Sequence, residues 1–111
     1  MAGKLFAACD RGDLTLVVLP EVLAECVFVL ESFYKQPRGG IARALAILIA
    51  SRGIDIDAVS IHLDALRRYA RTRLHFIDCT IAASAAATGM SVASLDTGFR
   101  KLPDVRVELD D

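Results

Sequence analysis

Tryptophan is absent from the 111 residues, which carry only two tyrosines and five phenylalanines. A core built from this chain must be aliphatic and rich in alanine. The three cysteines, Cys9, Cys26 and Cys79, are scattered, with no Cys-x-x-Cys pair and no Cys/His spacing of a zinc site. An odd count without a signal-peptide pattern predicts a reduced, cytoplasmic protein. Charge of one sign is also missing: the net charge is -1. No global basic field exists, so nucleic-acid binding would have to come from a local patch. Long hydrophobic runs are missing too. The longest, "IARALAILIA", is too short to span a bilayer and carries Arg43. Low-complexity segments, internal repeats and linkers are not seen.

What is present is apolar. Hydrophobic residues make up 54% of the chain, which excludes a disordered segment. The length suits one domain, residues 1–111, with a true core. "MAGKLFAACDRGD" reads as the end of a helix, with Gly12 as its stop. "LTLVVLP" is a β-branched run and predicts a strand. Pro20 suits the first turn of a helix over "PEVLAECVFVLESFY". "KQPRGG" should break it, and "IARALAILIASRG" predicts a second helix ending at Gly53. "IDI" is a short strand. "DAVSIHLDALRRYARTR" is an amphipathic helix with Asp57 as the expected N-cap. "FIDCTIAASAAAT" is a helix of small residues ending at Gly89, followed by strands in "MSVASLD" and "VRVEL" around a turn in "TGFRKLP". Strands alternating with helices predict an α/β domain with a parallel sheet.

The carboxylates then stand out. Residues 76–96, "FIDCTIAASAAATGMSVASLD", hold only two charged side chains, Asp78 and Asp96. Ionised carboxylates among apolar neighbours are costly unless compensated. Asp78 falls at a helix start, where a simple cap or dipole partner would also explain it. Asp96 ends a strand at its carboxyl edge, where ligands bind in open parallel sheets and where plain turn aspartates also occur. On a helical wheel Val22, Cys26, Val29 and Phe33 share a face with Leu23 and Leu30, and Glu25 lies at its border. Glu25 alone reads as a solvated helix residue. Brought together, Glu25, Asp78 and Asp96 would form an oxygen-only ligand set, which suits Mg²⁺ or Mn²⁺ rather than zinc.

Three segments in order carry a family resemblance: "LVVLPEVLAECVFVL", "YARTRLHFIDCTIAASAAATG" and "VASLDTGFRKLPDV". Together they resemble the PIN-domain family, most of all toxin ribonucleases of the VapC type. The resemblance implies a three-layer α/β fold with a central parallel sheet. It implies metal-dependent endoribonuclease activity as the toxin of a type II toxin–antitoxin pair. Glu25, Asp78 and Asp96 would bind Mg²⁺ or Mn²⁺ and cleave RNA, and the partners would be an antitoxin protein and a second copy in a homodimer. The alternative is a non-catalytic or truncated PIN-like module that dimerises or binds an antitoxin.

Two departures qualify the match. The family's first strand, which carries an aspartate in the middle of the sheet, has no counterpart here, and neither Asp10 nor Asp13 stands in its context. The expectation is a shortened piece or a mis-started reading frame, with two neighbouring strands left unpaired. The position two after Asp96 is Gly98, where many members carry another aspartate. Beside the site, "RRYARTR" places Arg67, Arg68, Arg71 and Arg73 ahead of Asp78. Arg68 and Arg71 are the candidates for RNA phosphates, although cations also suit a helix C-terminus. His62 and His75 receive no role. Ser94 could support a ligand or be an ordinary strand residue. "CVFVLESFY" and "ALAILIA" are expected in the core and in dimer contacts.

Overall fold

A computed structural model describes residues 2–93 and 102–108. Its elements are α1 (Ala2–Asp10), β1 (Leu16–Val17), α2 (Pro20–Ser32), α3 (Arg38–Ile49), β2 (Ile54–Asp55), α4 (Val59–Arg71), α5 (Phe76–Thr88), β3 (Val92–Ala93) and β4 (Val107–Glu108). Asp96, Gly98, Ser94 and most of the expected "TGFRKLP" turn lie outside the described residues.

Helices and short parallel strands alternate as expected. β1 runs parallel to β2, with Leu16 opposite Ile54 and Val17 opposite Asp55. The Leu16 N–H donates to Gly53 O at 2.6 Å and the Val18 N–H to Asp55 O at 2.7 Å. β3 runs parallel to β4, with Val92 opposite Val107. Among the described residues these are two separate two-stranded sheets, with no hydrogen bonds between them. Because Leu16 and Val18 turn their N–H groups to β2, the backbone groups of Val17 face away from it.

The main core is aliphatic. Leu23 and Val27 of α2, Ile41, Leu45 and Ile49 of α3, Leu66 and Tyr69 of α4, and Phe76, Cys79 and Ala83 of α5 form one buried cluster. The cross-section of α5 is narrow because Cys79, Ala82 and Ala83 are small and buried, which lets α4 pack directly on it. A second, smaller cluster joins Ala82, Ala85, Val92 and Val105. Gly53 locks α1 to the first sheet. Its φ is +81°, and a Cβ there would lie 2.6 Å from Cys9 Cβ and 2.8 Å from Leu14 O.

Several local expectations are corrected. The buried arc of α2 centres on Leu23 and Val27, whereas Val22 and Phe33 are exposed, Phe33 at 72%. α2 is apolar on nearly every side, so a wheel alone cannot select the arc that α3 and α5 will cover. α3 begins at Arg38 rather than Ile41, with Pro37 as its N-cap residue. Gly39 and Gly40 therefore sit in a helical first turn, where the packing of Ile41, Ala42 and Leu45 outweighs their poor propensity. Asp57 does not cap α4. The N-cap is Ala58, in the left-handed region at φ 52° and without a side-chain bond. The Ala58 carbonyl accepts from the Ile61 and His62 N–H groups and lies 3.1 Å from His62 Nδ1. His62 is thereby a satisfied core residue, consistent with its having no assigned role. The end of α5 falls as expected at Gly89, whose φ of 73° closes the helix.

Candidate active site

Glu25 stands in the second turn of α2 and is exposed. Asp78 is the third residue of α5 and half-buried, in the first turn, where the positive end of the helix dipole favours a carboxylate. No side chain caps that helix, the N-cap residue being His75. Neither carboxylate takes part in a side-chain hydrogen bond or ion pair among the described residues, unlike Asp13, Glu31, Asp64 and Asp104. α2 packs on α5 through the main core, so the two acids ride on contacting helices. Among the described residues no three His, Cys, Asp or Glu side chains are grouped closely enough to hold a metal ion. Asp96 lies outside the described residues.

The approach to Asp78 is held by a residue that the sequence does not single out. Arg38, at the start of α3, donates from Nε to Tyr69 O at 2.9 Å and from Nη1 to Glu31 Oε1 at 3.1 Å. Its Nη2 donates to Leu74 O, and its guanidinium carbon lies 3.8 Å from the centre of the Tyr69 ring. The Tyr69 ring in turn meets Phe76, the first residue of α5, edge to face at 6.0 Å. Tyr69 is fully buried, and its hydroxyl has no partner in hydrogen-bonding geometry. Burial first, and the nearby Glu31 carboxylate second, push its ionisation up to about 12. Beside this group, burial pushes the Cys79 thiol up, with the Thr72 hydroxyl acting against it. Cys79 is thus a packing residue and not a thiolate nucleophile.

The arginines divide. The side chain of Arg68 is only 12% exposed and lies between Asp64 and Asp104. It donates to Asp64 Oδ2 at 3.0 Å and forms a two-pronged pair with Asp104, Nη1 to Oδ1 at 2.9 Å and Nη2 to Oδ2. The Asp104 bond holds the Arg68 guanidinium above its ordinary value, and the same bond holds the Asp104 carboxyl below the usual carboxylate range. Arg67 is exposed and only 3.7 Å from Asp64, while Arg71 and Arg73 are exposed without a carboxylate partner among the described residues. Of the two arginines expected at RNA, Arg71 therefore presents its charge outward, and Arg68 fastens the 102–108 segment to α4.

Short parallel strands, flanking helices and acids on two packed helices define a layered α/β domain. The chain belongs to the PIN-domain family, whose sequence profile matches residues 4–105. No curated protein and no solved structure matches it. PIN domains are three-layer α/β folds associated with nuclease activity, and they generally use divalent metal ions. The donor chemistry here is of the kind such an ion takes: Glu25 and Asp78 carry carboxylate oxygens free of protein partners among the described residues. No helix among the described residues is long and apolar enough to cross a membrane.

Proposed function

We propose that the protein is a metal-dependent endoribonuclease and the toxin component of a type II toxin–antitoxin pair. The observation that carries this reading is the family match across residues 4–105, with Glu25 and Asp78 on packed helices inside it. Glu25, Asp78 and Asp96 would hold Mg²⁺ or Mn²⁺. A hard divalent ion in such a site activates water and stabilises charge on a phosphodiester. The chain's own contribution is to set Asp78 in the first turn of α5 and to fix the turn before it. Arg71, exposed at the end of α4, would meet RNA phosphates, with Arg68 bracing the same helix against Asp104. The exposed Phe28, Phe33 and Tyr34 on and after α2 support a homodimer or antitoxin contact, in the cytoplasm.

The second reading is a non-catalytic PIN-like module that dimerises or binds an antitoxin. The observation favouring it is the separation of the parallel strands into two pairs among the described residues. RNA cleavage assays decide between them. The ribonuclease reading expects cleavage in Mn²⁺ that stops in EDTA and falls at least about a hundredfold in Asp78→Asn, the size expected when a charge-stabilising group is removed. Cleavage that persists in EDTA, or in Asp78→Asn and Asp96→Asn alike, would sink it. No cleavage with dimerisation intact would favour the module.

A further inference from the structure

Arg38 commits every edge of its guanidinium inside the protein. Nε, Nη1 and Nη2 each have an acceptor, the flat face lies on Tyr69, and the side chain is 24% exposed. A phosphate-binding arginine would keep its fork free. What Arg38 joins is informative. Tyr69 O is a carbonyl in the last turn of α4, a group that helices leave without an intrahelical partner. Leu74 O belongs to the short connection between α4 and α5. Glu31 belongs to α2, the helix of Glu25. The same connection is tightened by Thr72, whose hydroxyl donates to Arg68 O at 2.8 Å and accepts from the Leu74 N–H at 3.3 Å.

We infer that Arg38 is a positioning residue that sets the exit of α4, the 72–75 turn and hence the place of Asp78 relative to α2. The inference rests on the metal-site reading above for its consequence, but its geometric content stands alone. Without the guanidinium, Tyr69 O and Leu74 O lose their donor in a half-buried place, and the Glu31 carboxylate loses its partner. The turn can then relax and rotate the first turn of α5, moving Asp78. Lysine keeps the charge but cannot fork to two carbonyls and a carboxylate while lying flat on a ring.

The test uses the full chain without RNA and measures two things in Arg38→Gln, Arg38→Lys and Glu31→Gln. The first is amide hydrogen exchange, comparing residues 72–79 with the core of α4 around Ala65 and Leu66. The second is Mn²⁺ affinity by titration. Arg38→Gln is expected to raise exchange at 72–79 by about tenfold more than at the α4 core. It is expected to weaken Mn²⁺ binding by about 10–100-fold, the usual effect of removing a group that orients a ligand. Arg38→Lys should fall between wild type and Arg38→Gln in both, and Glu31→Gln should show the smaller change of a lost single bond. If Arg38→Gln does not fold, the other two variants carry the comparison. Exchange that rises equally in both regions, or in neither, overturns the inference. Unchanged Mn²⁺ affinity in a variant whose turn has loosened overturns the link to Asp78 and leaves the ribonuclease reading intact. A wild-type chain that binds no Mn²⁺ counts against that reading, while the exchange comparison still decides the role of Arg38.

Discussion

Replacing Tyr69 with phenylalanine should stabilise the protein. Tyr69 is 0% exposed, and its hydroxyl finds no bond of ordinary geometry. Burying a hydroxyl without a partner costs roughly 1–3 kcal/mol. The ring itself is kept by the substitution. Phenylalanine still offers a face to Arg38, now 3.8 Å from the ring centre, and an edge-to-face contact to Phe76, now 6.0 Å between centres. Allowing for some loss of favourable interaction with the Glu31 carboxylate, Tyr69→Phe should gain about 1 kcal/mol near neutral pH. For a chain of this length that is about 4 °C in Tm. Urea melts of both proteins, checked by calorimetry, measure it. The alkaline range adds a second reading. The folded-state ionisation of Tyr69 is pushed up to about 12, above the ordinary value, so the folded state holds this proton more tightly than the unfolded state does. Wild-type stability from this group is complete below about pH 10 and is lost as pH rises toward the folded value. Tyr69→Phe should lack that decline, so its advantage should widen between these values. A variant less stable than wild type by 1 kcal/mol or more at neutrality, a loss of the size of a made hydrogen bond, would refute the reasoning and place a bond between the hydroxyl and Glu31.

Other outcomes follow from the same contacts. Gly53→Ala should cost about 3 kcal/mol, because left-handed strain adds to a clash with backbone. Gly12→Ala, at φ +83° but facing only the flexible end of Arg52, should cost about 1 kcal/mol; equal losses in chemical denaturation would contradict this. Asp104→Asn should lose no more than about 1 kcal/mol, since Asp104 is a half-exposed carboxylate and its partner Arg68 keeps Asp64. Its folded-state value is lowered, so the stability it adds is present above about pH 4 and lost as pH falls through that lowered value. Melts of wild type and Asp104→Asn should therefore converge in acid, and a gap that grows there would contradict the Arg68 pairing. Maleimide labelling followed by mass spectrometry should modify Cys26 well before Cys79, which is buried and has a raised thiol value. Faster labelling at Cys79 would mean that α5 opens locally.

The sequence shows helix ends wherever one residue dominates the local energy. Pro20 opens α2, and Gly89 closes α5 in the left-handed region that a C-terminal glycine favours. It misleads where tertiary packing outweighs that local energy. Gly39 and Gly40 look like a break, yet α3 carries them because Ile41 and Leu45 are anchored in the core. Asp57 looks like a cap, but the chain turns one residue later, at Ala58. The candidate acids are legible as acids among apolar neighbours, and Asp78 is correctly placed at the start of a helix. Arg38 was not legible. Its carbonyl acceptors come from Tyr69 and Leu74, and backbone groups leave no mark in side-chain patterns. Arg68 read as one of a basic cluster because its partner Asp104 is remote in sequence and is brought back only by the fold.

The distribution of contacts also orders the folding of the chain. α3, α4 and α5 are consecutive and pack on their sequence neighbours, so their interfaces close only short loops. β1 reaches β2 only across α2 and α3, and each partner contributes two residues to the ladder. Such pairing forms late and opens early. On warming, the strand pairs should therefore exchange their amides before the helices loosen. The α3–α4–α5 unit, with Arg38 across its α3 and α4 ends, would then persist as the last folded piece and keep Asp78 in place while the sheet frays.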